Sequence, residues 1–312
     1  MKDYILRIRT VEHGIIKWPL MNSRLYSLSI IATIIGALAV GLSPIFVRVS
    51  DLGPEASAFY RAFLAIPVLW VWRLADLKNP MATRVKFSDQ LLLAVPGLLF
   101  AGDLAFWHAS IKLTSVANAT LLANFAPIFV TIGGYLLFRE RVTKIFVVGM
   151  VMTIIGAGFL VGNSFAYSAS SVLGDGFGLI TGMFFAAYIL AIGRLRVKFS
   201  TAALMFWGTI WTALFLFPVA LFGADNLVPL SMIGWAVLIA LAWVSHVLGQ
   251  GLIAYALAHL PAQFSSVTIV LEAVFAVAFG WIILAEKLEI VQWIGIVVVL
   301  TGIFVAQKAS RR

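Results

Sequence analysis

The chain has 312 residues, 62% of them hydrophobic and 11% charged, with a formal net charge of +9 and no cysteine. A soluble domain is about 45–50% apolar and about 25% charged, so this is a membrane protein, with room for roughly ten spans of about 20 residues and for no soluble domain. The missing cysteine excludes disulfides, thiolate metal sites and a cysteine nucleophile, and the basic residues lie in short gaps between apolar runs, which excludes a nucleic-acid-binding face.

Residues 1–24 read as a basic cytoplasmic tail. They hold no apolar core of signal-peptide length, so no cleaved signal is expected; Met21, which leads straight into the first apolar run, is an alternative start. Apolar runs broken by charges, Pro, Gly or Asn then predict ten helices over residues 27–47, 56–72, 91–111, 115–138, 145–162, 174–193, 201–222, 232–256, 262–284 and 290–307. The fold class is all-α, with ten transmembrane helices as two inverted five-helix repeats. With the N-terminus inside, eighteen Lys and Arg fall in the cytoplasmic segments and only Arg48, Lys112 and Lys287 in the outer gaps, so both termini are expected in the cytoplasm and the protein in the cell (inner) membrane. Residues 308–312 form the second tail.

The repeat appears when the chain is slid by 146 residues. Phe129, Gly134, Glu140, Gly149, Val151 and Gly156 then meet Phe275, Gly280, Glu286, Gly295, Val297 and Gly302 without a gap. The units are 25–162 and 172–307. Because five is odd, the second copy sits upside down relative to the first, an architecture shared by many secondary transporters. Charge agrees, since "RERVT" is basic and its counterpart "AEKLE" is acidic.

Few polar residues lie inside the spans, and a charge at the centre of a membrane helix costs about 2.5–3.5 kcal/mol on insertion scales, so each is expected to face a cavity or a partner. In helix 3, Asp103, Trp107 and Ser110 share a face, while His108 points elsewhere and reads as an interface histidine. Helix 9 aligns Ser265, Thr268 and Glu272, helix 8 aligns Trp243, His246 and Gln250, and helix 4 aligns Thr120, Asn124 and Thr131. A shared water-filled chamber between the copies accounts for these stripes; interhelical hydrogen bonding is the competing account. Arg61 in helix 2 is the one basic residue well inside a span. It could snorkel outward, pair with Asp103, or meet a solute carboxylate through its planar fork. Tyr188 and Trp211 are candidate aromatic walls, with Trp207 and Trp211 stacked at i, i+4. The substrate-binding set read from the sequence is therefore Arg61, Asp103, Trp107, Asn124, Tyr188, Trp211, Trp243, His246, Gln250 and Glu272.

Ten spans, the duplicated unit, "FYRAFLA", "TSVANATLLANFAPIFV" followed by "FRERVT", and "LPAQFSSVTIVLEAVFAVAFGWIILAEKLE" resemble the two EamA domains of the drug/metabolite transporter superfamily over about residues 25–307. Members export amino acids, metabolites or drugs, and some import; an Arg early in helix 2 is common among them. The second copy has Ala273 where the first has Pro127, which leaves a helix break at that point without its proline. The resemblance and the polar stripes together imply a secondary transporter, in the export direction, for small amphipathic metabolites such as amino acids, working by alternating access with possible proton coupling through Asp103 or Glu272. A membrane sensor or scaffold on the same fold is the alternative. A membrane enzyme is disfavoured because the chain carries no HExxH helix, GxSxG elbow or P-loop. No cofactor and no metal are expected, and the chain reads as a monomer or homodimer whose partners are a solute and the lipid bilayer.

Overall fold

The structure is a computed structural model that describes residues 11–12, 15–16, 23–79, 84–114, 116–161, 169–285 and 287–310. Most of the N-terminal tail, with Met21, and also Glu286, Arg311 and Arg312 lie outside the described residues. Apart from a two-residue ladder that pairs Val11–Glu12 with Ile15–Ile16, the regular structure is helical. Ten apolar helices follow in order: α1 (Arg24–Val49), α2 (Pro54–Leu77), α3 (Phe87–Leu113), α4 (Ala119–Phe138), α5 (Lys144–Leu160), α6 (Val172–Leu195), α7 (Thr201–Gly223), α8 (Met232–Ala256), α9 (Ala262–Ile283) and α10 (Ile290–Ser310). Among the described residues all but α5 are long and apolar enough to cross a membrane, and α5 is a shorter apolar helix. Large apolar side chains such as Leu137, Ile282 and Val297 are exposed on the outside of the bundle. Lipid is the solvent that such a surface needs. The face where α1 begins is called the tail face below, and the opposite one the far face.

Two details of the backbone carry the duplication. Among the described residues, only Arg139 (φ 60°) and Ala285 (φ 54°) are non-glycine residues with positive φ, and they are one repeat apart. Each ends its helix in the left-handed conformation, and the amide after or at the cap reaches back to the carbonyl of the matching glycine, Gly134 for Glu140 and Gly280 for Ala285. This is the common C-terminal stop of a helix. It falls after α4 on the tail face and after α9 on the far face, so the two copies run through the bundle in opposite senses. The second detail is the crossing of α5 and α10. A Cβ added to Gly149 would lie 2.7 Å from the Gly302 carbonyl oxygen, and one on Gly156 would lie 3.0 Å from that of Gly295. These glycines, seven residues apart in each copy, therefore face each other across the seam, exchanged by a pseudo-twofold.

Left-handed conformation costs an L-residue about 1–2 kcal/mol. Ala285→Gly, which removes that penalty where the chain must turn, is expected to stabilise the protein by up to about 1 kcal/mol after the larger chain entropy of glycine is subtracted. A higher thermal midpoint of the detergent-solubilised protein checks it.

Among the described residues four helices are discontinuous. α1 breaks at Leu42, α2 between Phe63 and Ile66, and α4 between Ala123 and Ala126. In each case a proline (Pro44, Pro67 or Pro127) stands in the first turn of the second half, where its missing N–H is harmless. α9 breaks at Val270 as well. The absence of a proline at Ala273 therefore does not remove the break: the chain tightens instead into an i→i+3 bond, Ala273 N–H to the Val270 carbonyl at 3.0 Å. Over Leu241–Gln250, α8 is a π-helix, a wider winding often found at functional sites.

Candidate functional site

The helix breaks place the charges. Arg61 sits in the last turn of the half-helix Pro54–Phe63, and Glu272 in the first turn of the half-helix Leu271–Leu284. A cation at the negative end of one helix dipole and a carboxylate at the positive end of another are both favoured positions. Gly41, at the end of the first half of α1, lets its backbone approach this point: a Cβ there would lie 2.9 Å from the Glu272 carbonyl oxygen.

These ends surround a cavity in the far half of the bundle. Its walls include Gly41, Ser43, Arg61, Phe100, Asp103, Trp107, Thr120, Thr181, Phe185, Gln250 and Glu272. Its volume is about 80 Å³, room for roughly five to eight waters at about 10–15 Å³ each. A small solute fits that space. Arg61 is 5% exposed and Asp103 9%, yet among the described residues neither, nor Glu272, makes a hydrogen bond or an ion pair within 4 Å. The Arg61 Nε is sealed from solvent with no partner. The guanidinium lies over the Phe100 ring, 5.6 Å from its centroid, and the carboxylates of Asp103 and Glu272 act on its charge from a distance. The Arg61–Asp103 ion pair, one of the three arrangements open to Arg61, is thus not formed here. One cation and two carboxylates line a common space and leave their hydrogen-bonding capacity to whatever enters it.

Of the residues singled out from the sequence, Arg61, Asp103, Trp107, Gln250 and Glu272 line this cavity. Tyr188 and His246 line a smaller one behind Phe100. Asn124, Trp211 and Trp243 line neither. Asn124 sits at the α4 break and donates its Nδ2 to the Thr120 carbonyl at 2.9 Å; Thr120, on the same expected stripe, does line the larger cavity. Trp211 donates to Gln90 Oε1 at 3.2 Å and stacks on Phe215 rather than on Trp207. Trp243 is 50% exposed on the outside of the bundle, with its indole N–H on the Leu64 carbonyl at 3.2 Å. The i, i+3, i+7 stripe on α8 fails because that spacing assumes 3.6 residues per turn; in the π stretch Trp243 leaves the face that keeps His246 and Gln250 buried. On α9 the break at Val270 separates Glu272 from Thr268, which bonds back to the Phe264 carbonyl. Ser110 turns from the cavity to donate to the Gly174 carbonyl at 2.7 Å, and His108 is buried, 2% exposed, near the far-face ends of α2 and α3. Phe100, Thr181 and the α1 break line the site without standing out in the sequence; the only signal for Phe100 is its place one turn before Asp103.

On the tail face, polar contacts join loops and helix ends from both copies. Glu140 accepts from Arg194 and from Gln263, each at 2.5 Å. Asp89 pairs with Lys198 at 2.6 Å, and Asp76 accepts from the Ser200 hydroxyl at 2.6 Å. With the apolar cluster around Leu93, Ile189 and Leu204 beneath them, they close that side.

Broken helices from two inverted copies, meeting around a largely apolar cavity that holds one cation and two carboxylates, define a membrane transporter rather than an enzyme. The chain belongs to the EamA-like transporter family, whose model matches residues 27–162 and again 172–307. It is 26% identical over 291 residues to an uncharacterized transporter of Archaeoglobus fulgidus, covering 91% of this chain and 97% of that one. It is 29% identical over 257 residues to the pseudopaline exporter CntI of Pseudomonas aeruginosa, covering 80% and 87%. A solved crystal structure superposes with a TM-score of 0.75 over 93% of this chain and 99% of the other, at 17% identity, a likeness of fold alone.

Proposed function

We propose that the protein is a secondary transporter that exports small amphipathic metabolites of the amino-acid class by alternating access between its two copies. The observation that carries this reading is the set of Arg61, Asp103 and Glu272, which face one cavity without pairing among themselves. A zwitterion is complementary to it: the guanidinium fork takes a carboxylate, a carboxylate takes an ammonium, and Phe100, Leu104, Trp107 and Phe185 take an apolar side chain. The size of the cavity favours solutes of amino-acid scale. Export is supported by the relative named as an exporter. The excess of Lys and Arg on the tail face supports a cytoplasmic placement of both ends and an inner-membrane location. The far-half cavity is then the outward-facing one.

Asp103 and Glu272, free of permanent partners, are the groups available for proton coupling. A thermal-shift panel of amino acids on the purified protein, followed by efflux of the stabilising ones from proteoliposomes, tests the whole reading. Efflux is expected to follow an imposed pH gradient, and Asp103→Asn is expected to weaken that dependence. Transport that ignores the gradient and is unchanged in Asp103→Asn removes proton coupling through this residue.

A further inference from the structure

Phe100 forms a wall of two cavities. On its far side lies the larger one, with Arg61, Asp103 and Glu272. On its tail side lies a second, of about 10 Å³, lined by Tyr188, Ile192, Met205, Thr209 and His246, room for roughly one water. The ring is held between them: the Arg61 guanidinium lies 5.6 Å from its centroid, and the rings of Tyr188 and His246 lie 4.9 and 5.4 Å away. The smaller cavity crosses the seam between the copies, since Phe100 belongs to α3 and the others to α6, α7 and α8. It also runs toward the tail face, because Ile192 is near the end of α6 and Met205 near the start of α7.

Its chemistry differs from that of the larger cavity. Thr209 Oγ1 and His246 Nε2 share a hydrogen bond of 2.7 Å, while His246 Nδ1 is buried with no partner. A buried nitrogen left this way forfeits a hydrogen bond, and a visiting polar group would supply it. His246 also lies in the π stretch of α8, a winding often found at functional sites.

We infer that Phe100 is the partition of the solute path, and that the smaller cavity is its tail-side compartment, contracted here around the His246 imidazole and the Thr209 hydroxyl, which receive a hydrogen-bonding group of the solute. This rests on the transport reading above and adds to it the residues behind the charged site.

The chain has no cysteine, so single introduced cysteines report without background. Full-length protein in sealed vesicles of each orientation is treated with a membrane-impermeant methanethiosulfonate reagent. Thr181→Cys, on the larger cavity, is expected to react from the far face; failure there overturns the outward-facing cavity and with it the transport reading. Met205→Cys is expected to react from the tail face through the tail-open conformation, which the closed tail side leaves as a minor one populated at about 0.1–10%, and at least about tenfold more slowly from the far face, where Phe100 stands in the way. Adding Phe100→Ala is expected to raise that far-face rate about tenfold or more, and the milder Phe100→Leu by less. The inference alone is overturned if Thr181→Cys reacts as expected while Met205→Cys is inert from the tail face, or reacts readily from the far face with Phe100 in place. It is overturned equally if folded Phe100→Ala and Phe100→Leu proteins leave the far-face rate of Met205→Cys unchanged.

Discussion

Replacing Arg61 by methionine is expected to lower the flux of a transported amino acid by about 30- to 1,000-fold, because truncating one partner of a desolvated charge pair costs about 2–4 kcal/mol. The same substitution is expected to leave the thermal midpoint unchanged or to raise it. That combination follows from the geometry. Arg61 is 5% exposed, and its Nε has no partner. It is held by the Phe100 face and by the more distant Asp103 and Glu272 charges. Breaking a close buried ion pair destabilises a protein by about 3–5 kcal/mol, whereas replacing an imperfectly compensated buried charge by an apolar side chain is often neutral or stabilising. Arg61→Lys keeps the charge, loses the planar fork, and is expected to fall between the two in flux. Flux assays and thermal denaturation on the same preparations check this. A lowered midpoint with retained flux would make Arg61 a structural partner of Asp103 and remove it from the solute site.

The inverted topology could be read from the sequence because selection on orientation and selection on packing leave separate marks. Charges on the turns change sign between copies, while the glycines stay. The depth of Arg61, Asp103 and Glu272 was legible for a similar reason: a charge is so costly in lipid that its presence in an apolar run is itself informative. Direction around the helix was less so. Facing residues were assigned on regular 3.6-residue winding, and the site is built where winding is irregular, at the breaks in α1, α2, α4 and α9 and in the π stretch of α8. Trp243 and Asn124 were misplaced at those points, and so was the face shared by Thr268 and Glu272. Trp211 was misplaced for another reason: aromatic side chains have many apolar neighbours available, and nothing in spacing distinguishes Phe215 and Gln90 from a solute. Phe100 has no polar atom and stood out only once the space on both sides of its ring was seen.

Gly302→Val and Gly149→Val are each expected to unfold the protein or lower its thermal midpoint steeply. At Gly302 a Cβ would lie 2.5 Å from Thr153 Oγ1, 2.6 Å from the Thr153 amide nitrogen and 2.7 Å from the Gly149 carbonyl oxygen; at Gly149 it would lie 2.5 Å from the Ala306 amide nitrogen. Three of these four neighbours are backbone atoms inside long helices, so no rotamer change can relieve the contact. Overpacking a core costs about 1–3 kcal/mol when side chains can shift. Here α5 and α10 would have to separate, which also loosens Gly156 against Gly295, because the pseudo-twofold makes all four glycines one contact. In lipid, close backbone approach is much of what holds two helices together, since tails solvate apolar side chains as well as a neighbouring helix does. Gly158 lies on the same α5 helix and has open space where its Cβ would be. Gly158→Ala is therefore expected to be neutral or to stabilise by about 0.5–1 kcal/mol through helix propensity. Size-exclusion profiles and thermal midpoints of the three variants in one detergent separate the cases; a well-folded Gly302→Val protein with an unshifted midpoint would mean that the α5–α10 contact is not what joins the two copies.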